Sequence, residues 1–227
     1  MLTHILTTKK SERSHIHSSR TQFRAVFSWK NAKIIGEIKP RKPGSQITYD
    51  HKVLAEKIST NPAVEAYSIL IDETFFGGNI TNIELIRRTG KPTLFKEFVY
   101  ETTQIDGASY YGYDAVLLIK KIFPNIQELR NLVAYCLAKN IEPLIEVDNE
   151  SELVAILQNF SPEEISIGIN CRNLDTMEID REEHFSLWRT ELSDYHILAL
   201  SGITDFAQIN EYRWKYDGVL IGTLFTY

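Results

Sequence analysis

Between Ile34 and Gly222 the chain alternates short β-rich apolar runs with longer segments of mixed polarity. The runs are Ile34 to Lys39, Ala66 to Ile71, Thr93 to Phe98, Asp114 to Lys120, Ile141 to Val147, Ile165 to Cys171, His196 to Ser201 and Asp217 to Gly222. Ala115-Val116-Leu117-Leu118-Ile119 is apolar without alternation, the mark of a strand buried on both faces in a parallel sheet. Between the runs, Ile126, Leu129, Leu132, Val133, Cys136 and Leu137 recur at helical spacing over Asn125 to Ala138. Asn149 before Glu150-Ser151-Glu152-Leu153-Val154, and Thr204 before Asp205-Phe206-Ala207-Gln208-Ile209, read as N-caps leading into apolar stripes. Eight strands in repeated βα units predict an α/β fold, a TIM (β/α)8 barrel, over an open doubly wound sheet.

The pattern also predicts where this barrel departs from the ideal. Residues 1–30 form a short, partly mobile N-terminal extension ahead of a catalytic barrel spanning 31–227. Arg20 to Phe27 are its only candidate cover for the barrel bottom. Only Gly222 to Tyr227 lie at or beyond the end of the eighth run, so the final helix is expected to be truncated or missing. Strand eight would then expose Val219 and Ile221, or Leu220, to water. That predicts either lowered stability or self-association through the uncovered face.

Composition narrows the function. The 227 residues are 43% hydrophobic and 24% charged, as in ordinary globular domains. No run approaches the ~20 apolar residues of a membrane span, so no membrane partner is expected. The first twenty residues lack the apolar centre of a secretory signal, which predicts a cytoplasmic protein. The formal charge of -5 offers no electrostatic footprint for nucleic acid. Cys136 and Cys171 are too few for a disulfide framework, and the histidines show no metal spacing, so no metal is expected.

Candidate chemistry appears once the barrel is assumed, because such barrels work at the C-terminal ends of their strands. Glu37 and Lys39 lie two apart in an apolar strand and therefore share a face. Taken alone, that pair reads equally well as a structural ion pair. Lys96 late in strand three, Glu146 ending strand five and Asn170 and Arg172 ending strand six point toward the same mouth. Ser201-Gly202 after strand seven and Gly222-Thr223 after strand eight are small residues where backbone can approach a phosphate, so a phosphorylated small-molecule substrate is expected. Phe76, in Phe75-Phe76-Gly77-Gly78 after strand two, is placed to stack on an aromatic group. Cys171, between Asn170 and Arg172, should turn outward as a packed thiol.

Together these residues resemble the indole-3-glycerol phosphate synthase family, from about Ile34 to Leu224. The likeness rests on Gly36-Glu37-Ile38-Lys39, Phe75-Phe76-Gly77-Gly78, Phe95-Lys96-Glu97-Phe98, Asp114 to Ile119, Glu146-Val147, Gly168 to Leu174, Ser201-Gly202-Ile203 and Ile221-Gly222-Thr223. The resemblance implies a lyase without a cofactor that converts 1-(2-carboxyphenylamino)-1-deoxyribulose 5-phosphate into indole-3-glycerol phosphate, releasing carbon dioxide and water. It implies Lys96 as general acid, with Glu37, Lys39, Glu146 and Lys121 in the later proton traffic. Asn170 would orient reacting hydroxyls, Arg172 would join the anion site, and Ser201, Gly202, Gly222 and Thr223 would hold the phosphate. Two departures stand out. The family's Ser-Pro-Ser-type loop reads Lys42-Pro43-Gly44 here, leaving Lys42 or Arg41 to supply a charge for the substrate carboxylate, and Leu200 stands where the family carries Glu. The alternatives are an isomerase like phosphoribosylanthranilate isomerase and a non-catalytic phosphosugar-binding barrel.

Overall fold

The computed structural model describes residues 23–27, 32–170, 192–203, 205–212 and 215–225. Eight parallel strands close into a barrel in sequence order: β1 (Lys33–Ile38), β2 (Val64–Leu70), β3 (Thr93–Lys96), β4 (Ala115–Ile119), β5 (Glu142–Val147), β6 (Ser166–Ile169), β7 (Ile197–Ala199) and β8 (Gly218–Ile221). Closure comes from β1 lying beside β8, with Ile34 opposite Val219 and Gly36 opposite Ile221. Seven of the eight strands end one or two residues before their apolar runs do, and β5 ends with its run at Val147. The residues left over leave the ladder to build the mouth.

Helices cover the outside: α1 (His51–Ser59), α2 (Glu73–Phe76), α3 (Thr102–Tyr111), α4 (Ile126–Ala138), α5 (Glu150–Leu157) and α6 (Ile209–Tyr212). The expected cap of α5 is present, and Asn125 caps α4 in the same way. Asn125 Oδ1 accepts the Gln127 N–H at 2.9 Å and Asn149 Oδ1 accepts the Glu152 N–H at 2.9 Å, each satisfying a donor the helix leaves unpaired. Leu129, Leu132, Val133 and Cys136 form the buried face of α4, as their spacing requires. Thr204 lies outside the described residues, as do Cys171 and Arg172.

Two apolar clusters follow from strand alternation. An outer one joins the outward-facing residues of the strands to the helices, and an inner one fills the barrel. Phe23 and Phe27, flanking and entering a one-turn 3-10 helix over Phe23–Val26, close the bottom of the inner cluster. Their rings meet edge-on at 5.1 Å. Arg24 fixes the turn there, its backbone N–H and Nε donating to Glu142 Oε2 at 2.8 and 3.1 Å. Within the cover expected of residues 20–27, the described part is 23–27; residues 1–22 and 28–30 of the N-terminal extension lie outside the described residues.

One expectation is overturned. Val219, Leu220 and Ile221 are all buried, at 0%, 5% and 0% exposure. Val219 and Ile221 belong to the outer cluster, which also takes in Phe225 and Leu224 from a 3-10 turn over Thr223–Phe225, and that turn rests against α1. β8 lies between β1 and β7 in the closed sheet, so its edges are also paired. The exposed apolar face from which self-association was inferred is therefore not present at these residues.

Candidate active site

Period two along each strand places Ile35, Leu94, Leu144 and Leu198, from the odd-numbered strands, in the barrel interior. The next inward position on each of those strands is Glu37, Lys96, Glu146 and Leu200. The same step on the even-numbered strands ends at Leu70, Ile119, Asn170 and Gly222. All eight of these residues line one cavity of about 430 Å³ at the C-terminal mouth, together with Lys39, Lys42, Phe76, Phe98, Ser201 and Gly202. The floor is apolar, and the polar groups stand on it as a partial ring.

Glu37 is the centre of that ring. Its Oε2 is 2.9 Å from Lys39 Nζ and its Oε1 is 2.9 Å from Lys96 Nζ, while its own side chain is 2% exposed. Burial pushes this carboxyl upward, but the two ammonium groups and their hydrogen bonds outweigh burial and hold it down at about 2. Gly222 makes the arrangement possible. A Cβ at that position would lie 2.4 Å from Glu37 Oε2 and 3.2 Å from Lys39 Nζ, so any side chain would push the carboxylate off its lysines.

Glu146, on the other side of the mouth, has the opposite electrostatics. It is buried and its carboxyl is raised above the ordinary value, first by desolvation and then by the negative charges of Asp148 and Glu37, against the pull of Lys96 and a bond from Asn170. Asn170 Nδ2 donates to Glu146 Oε1 at 2.9 Å, and Asn170 Oδ1 accepts from Ser201 Oγ at 2.6 Å. This relay fixes the amide's orientation and ties the β7 end of the mouth to the β5 carboxyl. Two carboxyls with proton affinities driven apart, sharing a cavity with two lysines, form an acid and base set able to move protons in both directions.

Most of the residues singled out from sequence therefore meet: Glu37, Lys39, Lys96, Glu146, Asn170, Phe76, Ser201, Gly202 and Gly222 line the same cavity. Lys121 does not. It sits in the 3-10 turn after β4, 3.4 Å from Asp148 Oδ2 with its side chain 42% exposed, outside the cavity lining among the described residues. Thr223 follows Gly222 in the turn after β8. Arg172 cannot be placed, since residues 171–191 lie outside the described residues.

Sequence reasoning passed over three lining residues that carry an aromatic ring or a carboxylate. Phe98 stands 6.3 Å, ring to ring, from Phe76 and makes an aromatic wall with it. Its signal was available, because it lies two residues after Lys96. Glu97 also lines the cavity, half-buried, its carboxyl pushed up by burial with Asp72 adding to the effect. Asp72 lines the rim while its Oδ1 caps α2, accepting the Phe75 and Phe76 N–H groups at 2.6 and 3.1 Å. Leu200 takes the fourth place of the odd-strand ring. It packs over Gly168, where a Cβ would come within 2.3 Å of its Cδ1, so the ring holds three polar members and one apolar one.

Comparison with known proteins gives a consistent picture. The family described as indole-3-glycerol phosphate synthase matches residues 5–227. An indole-3-glycerol phosphate synthase of Sulfurisphaera tokodaii is 35% identical over 199 residues, covering 86% of this chain and 78% of that protein. That of Campylobacter fetus subsp. fetus is 35% identical over 206 residues, covering 88% and 78%. That of Staphylococcus aureus strain JH1 is 30% identical over 221 residues, covering 96% and 82%. Among solved structures, 3-hexulose-6-phosphate synthase from Salmonella typhimurium superposes with a TM-score of 0.61 at 11% identity, over 84% of this chain and 89% of that one. A tryptophan synthase from M. tuberculosis gives 0.58 at 13% identity, over 90% and 87%. At those identities the two structures speak for the barrel alone.

Proposed function

The chain belongs to the indole-3-glycerol phosphate synthase family, and we propose that its mouth closes the indole ring with Lys96 as general acid and Glu146 as the main proton carrier. The enzyme is a carboxy-lyase of tryptophan biosynthesis acting on a phosphorylated small molecule. The substrate proposed is 1-(2-carboxyphenylamino)-1-deoxyribulose 5-phosphate. Its phosphate would rest against the backbone at Ser201, Gly202, Gly222 and Thr223, and its aromatic ring against Phe76 and Phe98. A cytoplasmic site of action is part of the same proposal, supported by the biosynthetic role of the family. No helix among the described residues is long and apolar enough to cross a membrane.

Ring closure needs a proton at the sugar ketone while the ring carbon bearing the carboxylate attacks the ketone carbon. An ammonium group can give that proton, and Lys96 is presented to the cavity by its bond to Glu37. Loss of carbon dioxide then leaves its bonding electrons to the ring and restores aromaticity. Expulsion of water from the former ketone carbon requires a proton on the departing hydroxyl and removal of one from the adjacent methylene carbon that is bonded to nitrogen. Glu146 suits this exchange, since a carboxyl with a raised proton affinity both takes and returns a proton at little cost. Glu37, held strongly ionised, orients Lys39 and Lys96 and stabilises positive charge at the reacting centre. Asn170 and Ser201 hold Glu146 in place and face the hydroxyl-bearing part of the substrate.

The observation that carries this reading is the double ion pair of Glu37 with Lys39 and Lys96, facing the hydrogen-bonded Glu146 across one cavity. A barrel that merely bound a phosphosugar would gain nothing from the cost of desolvating these charges. The test is turnover of the proposed substrate, followed by indole fluorescence, in wild type and Lys96→Ala. The variant should fold normally and lose about 10²-fold to 10⁴-fold in kcat. A Lys96→Ala enzyme with near-normal kcat removes Lys96 from the chemistry.

A further inference from the structure

Glu146 has to take and return a proton in the chemistry above, yet it shares its cavity with Lys96, whose charge favours the ionised carboxylate. The structure places an opposing charge just beyond it. β4 and β5 run side by side with Ile119 opposite Glu146, and both residues line the cavity. Two places further along the same two segments come Lys121 and Asp148, whose side chains meet at 3.4 Å between Nζ and Oδ2. The two ends of this pair differ in exposure. The Lys121 side chain is 42% exposed and that of Asp148 12%, so solvent screens the cation more than the anion. Asp148 is also well anchored. Its Oδ1 accepts from Asn149 Nδ2, and its backbone N–H donates to Glu152 Oε2 at 3.1 Å. It directly precedes Asn149, the N-cap of α5, where a helix end favours negative charge. An anion is thus fixed two residues past Glu146, about 7 Å away along an extended chain.

We propose that Asp148 is a positioning residue of the proton chemistry: paired with Lys121 beyond the end of β5, it favours the protonated form of Glu146, and Lys121 moderates that effect. The inference rests on the reading of Glu146 as the proton carrier. Lys121, which the resemblance assigns to the proton traffic, acts here through Asp148. The other groups that face Glu146 do not supply the same bias. Lys96 on β3 pulls the opposite way, and Asn170 at the end of β6 donates to Oε1 and favours the ionised carboxylate. Glu37 on β1 repels, but its charge is bound by Lys39 and Lys96, and Asp148 ranks ahead of it among the charges that raise Glu146. Around Asp148 itself, Lys121 faces it from the turn after β4 and Glu152 from α5. The Glu152 carboxyl is raised first by burial, with Asp148 adding to the effect and Lys120 opposing it.

The experiment follows the Glu146 carboxyl directly, by carbon NMR of protein labelled at its glutamate carboxyls, with the signal assigned by its loss in Glu146→Gln. The pH profile of kcat on the proposed substrate is recorded for the same proteins. Asp148→Asn keeps an acceptor for Lys121 and Asn149, and it should lower the Glu146 midpoint by about half a unit to one unit, the effect of removing a like charge at that separation. Lys121→Met should raise the midpoint, and the double variant should fall between the two. Because the Lys121 side chain is far more exposed than that of Asp148, its variant keeps the test available even if Asp148→Asn disturbs α5. Opposite shifts are a signature that a merely structural pair would not give, since breaking it from either side would act alike. The proposal is overturned if Asp148→Asn leaves the midpoint in place or raises it, or if both variants move it in the same direction. Midpoints that shift as expected while the kcat profile stays put support the action of the pair on Glu146 and overturn Glu146 as the proton carrier.

Discussion

The two buried glutamates of the mouth should respond to acid in opposite senses. Glu37 is held at about 2 against an ordinary value of 4.5. An acid depressed in the folded state contributes stability that is complete above the unfolded value and is lost as the pH falls toward the folded one, here between about 4.5 and 2. The shift corresponds to about 3 kcal/mol in total, lost at about 1.4 kcal/mol per pH unit inside that window. Glu146 is raised, chiefly by burial, so its ionised form costs stability at neutral pH and that cost disappears on acidification. Urea denaturation followed by circular dichroism from pH 7 to pH 3.5 separates the two. Glu37→Gln should be destabilised relative to wild type at pH 7, and the gap should narrow by about 1 kcal/mol on going from pH 4.5 to pH 3.5. Glu146→Gln, which keeps an oxygen for Asn170, should be at least as stable as wild type at pH 7 and lose that advantage in acid. If the difference between wild type and Glu37→Gln is the same at pH 7 and pH 3.5, the lysines do not hold Glu37 ionised and the electrostatic account of the mouth is wrong.

Two further substitutions probe the supports of the site. Gly222→Ala places a Cβ 2.4 Å from Glu37 Oε2, so the carboxylate must leave its lysines; steady-state kinetics should show kcat/KM down by about a hundredfold, the usual effect of a misplacement near 1 Å, and the melting temperature should fall as the Glu37 ion pairs are lost. Unchanged kinetics would mean that the Glu37 and Lys39 contact has no part in turnover. Phe23→Ala empties the bottom plug at the far end of the barrel and should cost about 3–5 kcal/mol in urea denaturation, with kcat unaltered in the folded enzyme. A loss of kcat without loss of stability would show that the bottom and the mouth are coupled.

Much of the site was legible because the barrel's interior obeys a local rule. Once eight apolar runs are recognised, period two and the C-terminal-end rule bring Glu37, Lys96, Glu146, Asn170 and Gly222 to one mouth without any contact being known. The sequence by itself thus determined the barrel, the inward register of each strand and the identity of the polar ring. Tertiary structure decided the rest. Glu37 and Lys96 are 59 residues apart, and only their approach makes one carboxyl a fixed anion while burial raises the Glu146 carboxyl above its ordinary value. Arg41 and Lys42 are chemically alike in sequence, yet the Arg41 guanidinium donates to the Glu73 and Phe75 carbonyls while Lys42 lines the cavity. Lys121 satisfies the alignment of motifs yet sits beside Asp148, and β8 is sheltered although only a single described turn follows it. In each case the deciding quantity is a distance or a burial set by residues remote in the chain, which a period along the sequence does not encode.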